Sequence, residues 1–374
     1  MPAWDLYLEL DAWDALHEDV HADLGVAAAL CVERRRVPIT LELQGASTRT
    51  RPKKSFDVKV TSPGGLPEPF GRMNGGSLRR VLLKAMYSDQ SLVREALAFE
   101  LWRLMGYEAP VVDFVSVSIN GAYWGLYATV EPVGRDYLRR HGYRPGGHLY
   151  KAVRRGKHQA DFAPRRKLER VFEHKTDDQS GGYEDLAALV MRMHETPLSQ
   201  EAWEREIDPV FSLAMYMDRM IWVSLTQNTD AVAQNFFLYN APHDGHDHWS
   251  IIPWDSNIAF GASRRGIGHT SMPAELLLID GRNWFGDRLL QVDAFRKAYV
   301  ERFRNVLAAV LPTELVESVH HELASRVEPE LSRDRRRWQR PLSSREAQQA
   351  VLDFVHQRPG HLREALQELV RGTD

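Results

Sequence analysis

The sequence predicts an α+β fold in two lobes, β-rich over residues 1–133 and mainly helical over residues 134–374. Three observations carry that reading. At 374 residues the chain exceeds the usual size of one domain. Up to about residue 130 its apolar residues fall in short alternating runs, the period of strands. Beyond about residue 134 the chain turns mainly helical in pattern.

Composition narrows the class. Hydrophobic residues make up 43% and charged residues 26%, the balance of a globular enzyme. A net charge of −3 gives no general attraction to nucleic acid or to a membrane surface, so neither is expected as a partner. Cys31 is the only cysteine, which excludes an intramolecular disulfide and a cysteine-based zinc cluster and fits a reducing compartment. The opening residues lack the basic segment and apolar core of a secretory signal. No run approaches the roughly 18 apolar residues of a membrane span. The expected location is the cytoplasm.

Leu6, Leu8 and Leu10 alternate, and Ala27–Val32 is a short apolar run before a basic turn. Val37–Leu43 and Ser55–Val60 alternate again. Between them runs QGASTRTRPKK, from Gln44 to Lys54, which is small, hydroxyl-rich and basic. Such a loop suits the covering of phosphates, since glycine admits a close backbone and hydroxyls and amides donate; it also reads as a plain polar hairpin loop. Ser47, Thr48, Lys53 and Lys54 are its candidate contacts.

Residues 61–77 carry several Gly and Pro and read as a loop. Arg79–Ala85 is a short strand, and Asp89 can cap a helix over about Gln90–Met105. Val93, Leu97, Glu100 and Leu104 share one face of that helix. A buried, unpaired carboxylate is costly. Glu100 is therefore expected to pair with a lysine of the strand beginning at Lys53-Lys54, or to sit at the stripe's edge and reach water. Gly106 ends the helix. Val111–Ile119 and Tyr123–Val130 then flank Asn120-Gly121, a strong hairpin signal, and Glu131 leaves the sheet.

Residues 144–182 are basic with little periodicity and read as a solvated loop or a substrate-facing insertion; the basic stretch 151–170 would suit an acidic partner. Helices follow at about Tyr183–His194 and Glu201–Leu225. The tail carries packing helices near Leu289–Val310, Pro312–Arg326 and Ser344–Arg371.

The chemistry concentrates in TQNTDAVAQNFFLYNAPHDGHDHWSIIPWDSNIAFG, residues 226–261. Asp230 and Asn235 stand in a D-x4-N spacing. Two apolar strands follow, Phe236–Tyr239 and Trp249–Trp254, and Asp255 ends the second. A protein kinase places an acid, an amide and a second acid in this way: the first takes the hydroxyl proton, and the other two hold metal against the phosphates. Mg2+ is hard and small and takes oxygen ligands, which Asn and Asp supply. The pattern also fits a surface hairpin with polar ends. His243, Asp244, His246, Asp247 and His248 crowd around Gly245 and read as a turn rather than a transition-metal site. The loop Ala262–Met272, with Arg264 and Arg265, stands where a kinase carries its activation segment.

Five motifs in order resemble the spore-coat protein H family, the CotH-type atypical protein kinases. They are Gln44-Gly45-Ala46-Ser47-Thr48 with Lys53-Lys54-Ser55; Asp89-Gln90-Ser91-Leu92-Val93-Arg94; Ile119-Asn120-Gly121-Ala122-Tyr123-Trp124-Gly125-Leu126-Tyr127 with Glu131; Asn228-Thr229-Asp230 with Asn235-Phe236-Phe237-Leu238-Tyr239; and Trp254-Asp255-Ser256-Asn257 with Phe260-Gly261. They span about residues 40–261.

The resemblance implies a two-lobed atypical protein-kinase-like fold and an ATP- and Mg2+-dependent phosphotransferase, with Mn2+ as a possible substitute metal, acting on a protein or peptide hydroxyl. By it Asp230 is the catalytic base, Asn235 and Asp255 bind the metal, and a lysine of the KKS strand, Lys54 before Lys53, contacts the phosphates. Glu131 begins the hinge at the adenine edge. Two positions depart from the family pattern: Gln44 stands where Arg is usual, and Asn257 replaces the second Asp of W-D-x-D. They keep open an adenylyl transferase or an ATP-dependent amino-acid ligase on the same fold, and a nucleotide-binding pseudokinase scaffold.

Overall fold

Residues 3–130 build a closed barrel around one of two apolar cores. Its strands are β1 (Ala3–Tyr7), β2 (Gly25–Val32), β3 (Arg35–Gln44), β4 (Ser55–Val60), β5 (Arg80–Lys84), β6 (Val112–Ile119) and β7 (Ala122–Val130), in the order β1-β2-β3-β4-β5-β7-β6. Neighbours are antiparallel except β1 and β6, whose parallel pairing closes the ring and leaves no open edge. This computed structural model describes residues 1–371 apart from 33, 64, 67–77, 157, 165–166, 177–181 and 263–282. Most of the expected 61–77 loop, and the expected activation segment with Arg264 and Arg265, lie outside the described residues.

Strand parity divides the cores. On β6, Val115, Val117 and Ile119 point into the barrel, whereas Val112 and Phe114 join the second core outside it. On β7, Tyr127 faces inward and Leu126, Ala128 and Val130 face out. Helix α2 (Arg94–Leu104) covers that outer face, and Trp222 of α6 (Leu213–Thr226) donates its indole N–H to the Ala98 carbonyl at 2.8 Å. The barrel is thus bound to the helical part through apolar burial as well as through the chain.

The remainder is helical around a small sheet. Strands β8 (His148–Ala152), β9 (Phe172–His174), β10 (Phe236–Asn240) and β11 (Trp249–Pro253) lie in the order β11-β10-β8-β9. Two of them fall inside the segment expected to be a loop over 144–182: both are short, and long polar stretches flank them, so their period is submerged. The single helix expected over 201–225 is two, α5 (Gln200–Glu206) and α6. Pro209 interrupts it, and Ser212 Oγ then caps α6 by accepting from Met215 N at 3.2 Å.

The other helices are α1 (Leu10–Glu18), α3 (Arg135–Arg140), α4 (Glu184–Glu195), α7 (Trp284–Leu290), α8 (Asp293–Asn305), α9 (Thr313–Trp338) and α10 (Ser344–Arg371). The first of these replaces the strand-like alternation read through Leu10. Helix α9 runs twelve residues beyond its expected end at Arg326, through Pro329, because it packs on β7, α2 and α10. None of the helices among the described residues is long and apolar enough to cross a membrane.

Candidate active site

The β10–β11 hairpin brings the expected amide and second acid together. Phe236 pairs with Pro253, so Asn235 and Trp254 stand side by side at one end, and Trp254 N donates to Asn235 O at 3.0 Å. On the other side Asn235 N donates to Ala152 O at 3.2 Å. Asn235 and Asp255 both adopt left-handed backbone, with φ of 56° and 49°. Asn and Asp tolerate this conformation better than most residues, and its presence at both chain exits turns the side chains out of the sheet.

Asp230 is tied to the same group. Asn235 Nδ2 donates to Asp230 Oδ2 at 3.2 Å, and Gln234 Nε2 donates to the other carboxylate oxygen. With its amide nitrogen so engaged, Asn235 has its oxygen available as a ligand. The loop beneath is held by Arg219 of α6, which donates to the carbonyls of Ala231 and Val232 and lies 4.3 Å over the Phe236 ring. Burial pushes the Arg219 guanidinium down to about 10.

The cation that contacts Asp255 is Lys84, at the end of β5. Its Nζ lies 2.6 Å from Glu95 Oε1, 3.0 Å from Asp255 Oδ1 and 4.8 Å over the Trp254 ring. Glu95 stands in the first turn of α2. Lys84 and Glu95 side chains are 6% and 1% exposed, whereas Asp255 is 41% exposed and so reaches the cleft. Burial lowers the Lys84 ammonium, but Asp255 and Glu95 together outweigh it and hold it above its usual value. Burial raises the Asp255 carboxyl, and Lys84 more than reverses this, leaving it below the usual range. For Glu95 burial prevails over Lys84, and its carboxyl is raised.

This corrects the expected lysine–glutamate pair. Glu100 sits at the helix surface, 36% exposed, and binds Arg103 at 2.9 Å. Lys54 Nζ donates to the Arg49 carbonyl at 2.5 Å, within its own loop. Lys53 lines the cleft, but its Nζ, fully buried, donates to Asp334 Oδ1 at 2.7 Å and to the Leu126 carbonyl. Neither ammonium is directed to Asp255. The helix begins four residues later than expected, at Arg94, and Leu104 on the expected face is 43% exposed, so the inward carboxylate is Glu95. Asp89 does accept from Arg94 N, at 3.0 Å. The residues missed were in view: Val81-Leu82-Leu83-Lys84 has the V-x-x-K form of a kinase phosphate-binding strand, with a Glu in the helix that follows.

A cleft of about 650 Å³ of open space separates the barrel from this hairpin, lined among others by Gln44, Thr48, Lys84, Met86, Asp255 and Asn257. Both departures noted in the sequence therefore face the cleft. Gly45, with φ of 104°, turns the loop above it, and a Cβ there would meet Thr48 Oγ1 at 2.1 Å. The Ser47 side chain lies outside the described part. Glu131, at the exit of β7, is fully buried and its carboxylate is committed to Arg140, to His141 at 3.0 Å and to Val111 N at 3.2 Å. Its role at this position is to hold the segment after the barrel. The 243–248 stretch is a turn, with reciprocal bonds between His243 and His246.

The donors fit a hard divalent cation carried with a phosphate ligand. Asn235 and Asp255 offer two oxygens, and Mg2+ commonly uses one or two protein oxygens, with waters and substrate phosphates completing its shell. Among the described residues no group of three or more His, Cys, Asp or Glu is arranged around a metal position, so a self-contained protein cage is not what the site offers. The arrangement is a cation clamped between two carboxylates, of which Asp255 reaches the cleft, with an amide and one further acid beside them.

The family model described as CotH kinase protein matches residues 41–362, reaching about a hundred residues past Gly261, where the last of the five motifs ends. The chain is 25% identical over 337 residues to the inner spore coat protein H of Bacillus subtilis (strain 168), covering 88% of this chain and 87% of that protein.

Proposed function

The chain belongs to the CotH kinase protein family, and from that premise we propose that it is an ATP- and Mg2+-dependent phosphotransferase acting on a protein or peptide hydroxyl. The observation that carries the proposal is the Lys84–Glu95–Asp255 network beside Asn235, at the floor of a cleft roofed by the Gln44–Thr48 loop. The kinase-like reading rests on this site, because a closed seven-stranded barrel is not the usual N-terminal lobe of a kinase.

Phosphoryl transfer asks the protein mainly for position and charge neutralisation. Bound Mg2+-ATP would supply the transferable group and the neutralising cation. Lys84, fixed by Glu95, would hold phosphate oxygens; Asp255 and Asn235 would ligate the metal; Asp230, steadied by Gln234 and Asn235, would accept the proton of the acceptor hydroxyl. The single cysteine favours a reducing compartment, and a cytoplasmic location is part of the proposal.

The test is incubation with Mg2+ or Mn2+ and ATP labelled separately at the α and γ positions. Transfer or release of γ label, lost in Asp230→Ala, is the expected result. Gln44 and Asn257 within the cleft favour a second reading, adenylyl or ligase chemistry. Transfer of α label, or pyrophosphate release, would select it and displace the first.

A further inference from the structure

Arg340, just past the end of α9, is 6% exposed and reaches into the wall of the cleft. Its Nη1 donates to the carbonyls of Met86, Tyr87 and Asp89 at 3.4, 3.2 and 3.1 Å. Its Nη2 donates to Ala85 O at 3.5 Å and Met86 O at 3.4 Å. One guanidinium thus gathers four successive or near-successive carbonyls on the side away from the cleft. Its Nε is anchored in turn on Asp334 Oδ2 at 3.0 Å.

The other side of the same backbone faces the cleft. Ala85, Met86, Tyr87 and Ser88 line it, directly after Lys84. Among the described residues none accepts a hydrogen bond from the N–H of Met86, Tyr87 or Ser88, while Ala85 N is taken by Ser55 Oγ at 2.9 Å. Met86 has φ of 46°, left-handed, beside neighbours that are not. Alternation of hand along consecutive residues turns successive N–H groups to one side, the geometry of an anion-binding nest.

We propose that residues 86–88 form a backbone-amide anion site for the phosphate groups of the nucleotide, held in shape by Arg340 as a positioning residue. The proposal rests on the nucleotide-binding reading above. It assigns a role to the C-terminal helices that no sequence motif announced. It also accounts for a guanidinium spent on carbonyls rather than on the ligand: with their oxygens drawn back, the amides are left to donate.

The experiment is calorimetric titration of the full chain with ATP, adenosine and pyrophosphate, each with Mg2+, for wild type and Arg340→Lys. A lysine keeps the charge facing Asp334 but cannot span four carbonyls. ATP and pyrophosphate are expected to weaken by about tenfold or more, the scale of one charge-assisted hydrogen bond, with adenosine affinity held. Unchanged ATP and pyrophosphate affinity, or a parallel loss of adenosine, overturns the proposal. Should Arg340→Lys fail to fold, Ser88→Pro deletes one wall N–H outside the Asp334 network and carries the same two outcomes. Wild type that binds pyrophosphate but not ATP sinks the nucleotide reading and leaves the anion site standing. Wild type that binds ATP no tighter than adenosine overturns the anion site, and with it the phosphate contact proposed for Lys84.

Discussion

Lys53 Nζ and Asp334 Oδ1 meet at 2.7 Å with both side chains sealed from water, joining the loop before β4 to the last turns of α9. The same carboxylate accepts from Leu126 N at 2.9 Å and from Arg340 Nε at 3.0 Å. Burial pushes the Lys53 ammonium down to about 8, opposed by Asp334. Removing Asp334 leaves two buried cations facing each other, and breaking a buried pair from one side costs about 3–5 kcal/mol. Asp334→Ala is expected to lose that much in urea unfolding. Gly125 abuts the same node: a Cβ there would come within 2.6 Å of Asp334 Oδ1 and 2.9 Å of Lys53 Cε. Gly125→Ala should therefore be destabilising, and non-additive with Asp334→Ala by about 0.5 kcal/mol or more. Additive losses would show that the glycine acts elsewhere.

The site itself separates three lysines by role. Lys84→Ala removes the cation between Glu95 and Asp255, and labelling from γ-labelled ATP is expected to fall by about 10²–10³-fold, the loss typical of one preorganised charge partner. Lys54→Ala removes only a bond to a loop carbonyl and should stay within a few-fold of wild type. Lys53→Ala should lower the melting temperature more than it lowers the rate measured well below that temperature. Equal rate losses for Lys84→Ala and Lys54→Ala would return the phosphate contact to the KKS strand.

What the sequence made legible was governed by short range. The alternation of Val37–Leu43 and Ser55–Val60, the Asn120-Gly121 hairpin and the two apolar runs after Asn235 each specify strands locally, and the structure has strands there. Asn235 and Asp255 are neighbours because one hairpin fixes both, so their meeting could be read from spacing. The Lys84–Glu95 pair is hidden by a stripe drawn through Val93, Leu97, Glu100 and Leu104: Leu104 is exposed, and Glu95 lies on the buried side. Strands β8 and β9 are too short to show a period amid basic residues. Asp334 and Arg340 act at separations above 200 residues, and no local pattern distinguishes them from other charges on a helix.

Glu131 and His141 give the fold a pH signature. His141 Nε2 lies 3.0 Å from Glu131 Oε2 and its Nδ1 2.7 Å from Glu108 Oε2. Burial lowers the imidazole, but the bond and charge of Glu131 reverse this and leave it above 6.5. Burial raises the Glu131 carboxyl, and His141 and Arg140 outweigh it, leaving it below 4.5. A raised histidine stabilises below its unfolded value near 6.5 and loses that contribution as pH rises through its folded value. A lowered glutamate stabilises above about 4.5 and loses its contribution as pH falls through its folded value. The pair is therefore strongest between those limits. In His141→Gln the fall in melting temperature from pH 6 to pH 8.5 should be smaller than in wild type. An identical slope would exclude His141 as its source.

Asn257 gives a test of the proposed metal site. It lines the cleft with Asp255, and the departure from W-D-x-D puts a neutral amide where a second carboxylate would stand. Ligand charge count tunes divalent-cation affinity, since each carboxylate adds a full charge to the field at the cation. Asn257→Asp should tighten Mg2+ or Mn2+, read as a shift of about tenfold in the metal concentration that half-saturates ATP-dependent thermal stabilisation. Asp255→Asn should move that concentration the other way and weaken ATP binding with it, because Asp255 also contacts Lys84, at 3.0 Å. If Asn257→Asp leaves the metal dependence unchanged while Asp255→Asn abolishes it, position 257 is outside the coordination shell, and the amide there serves the phosphates or the acceptor instead.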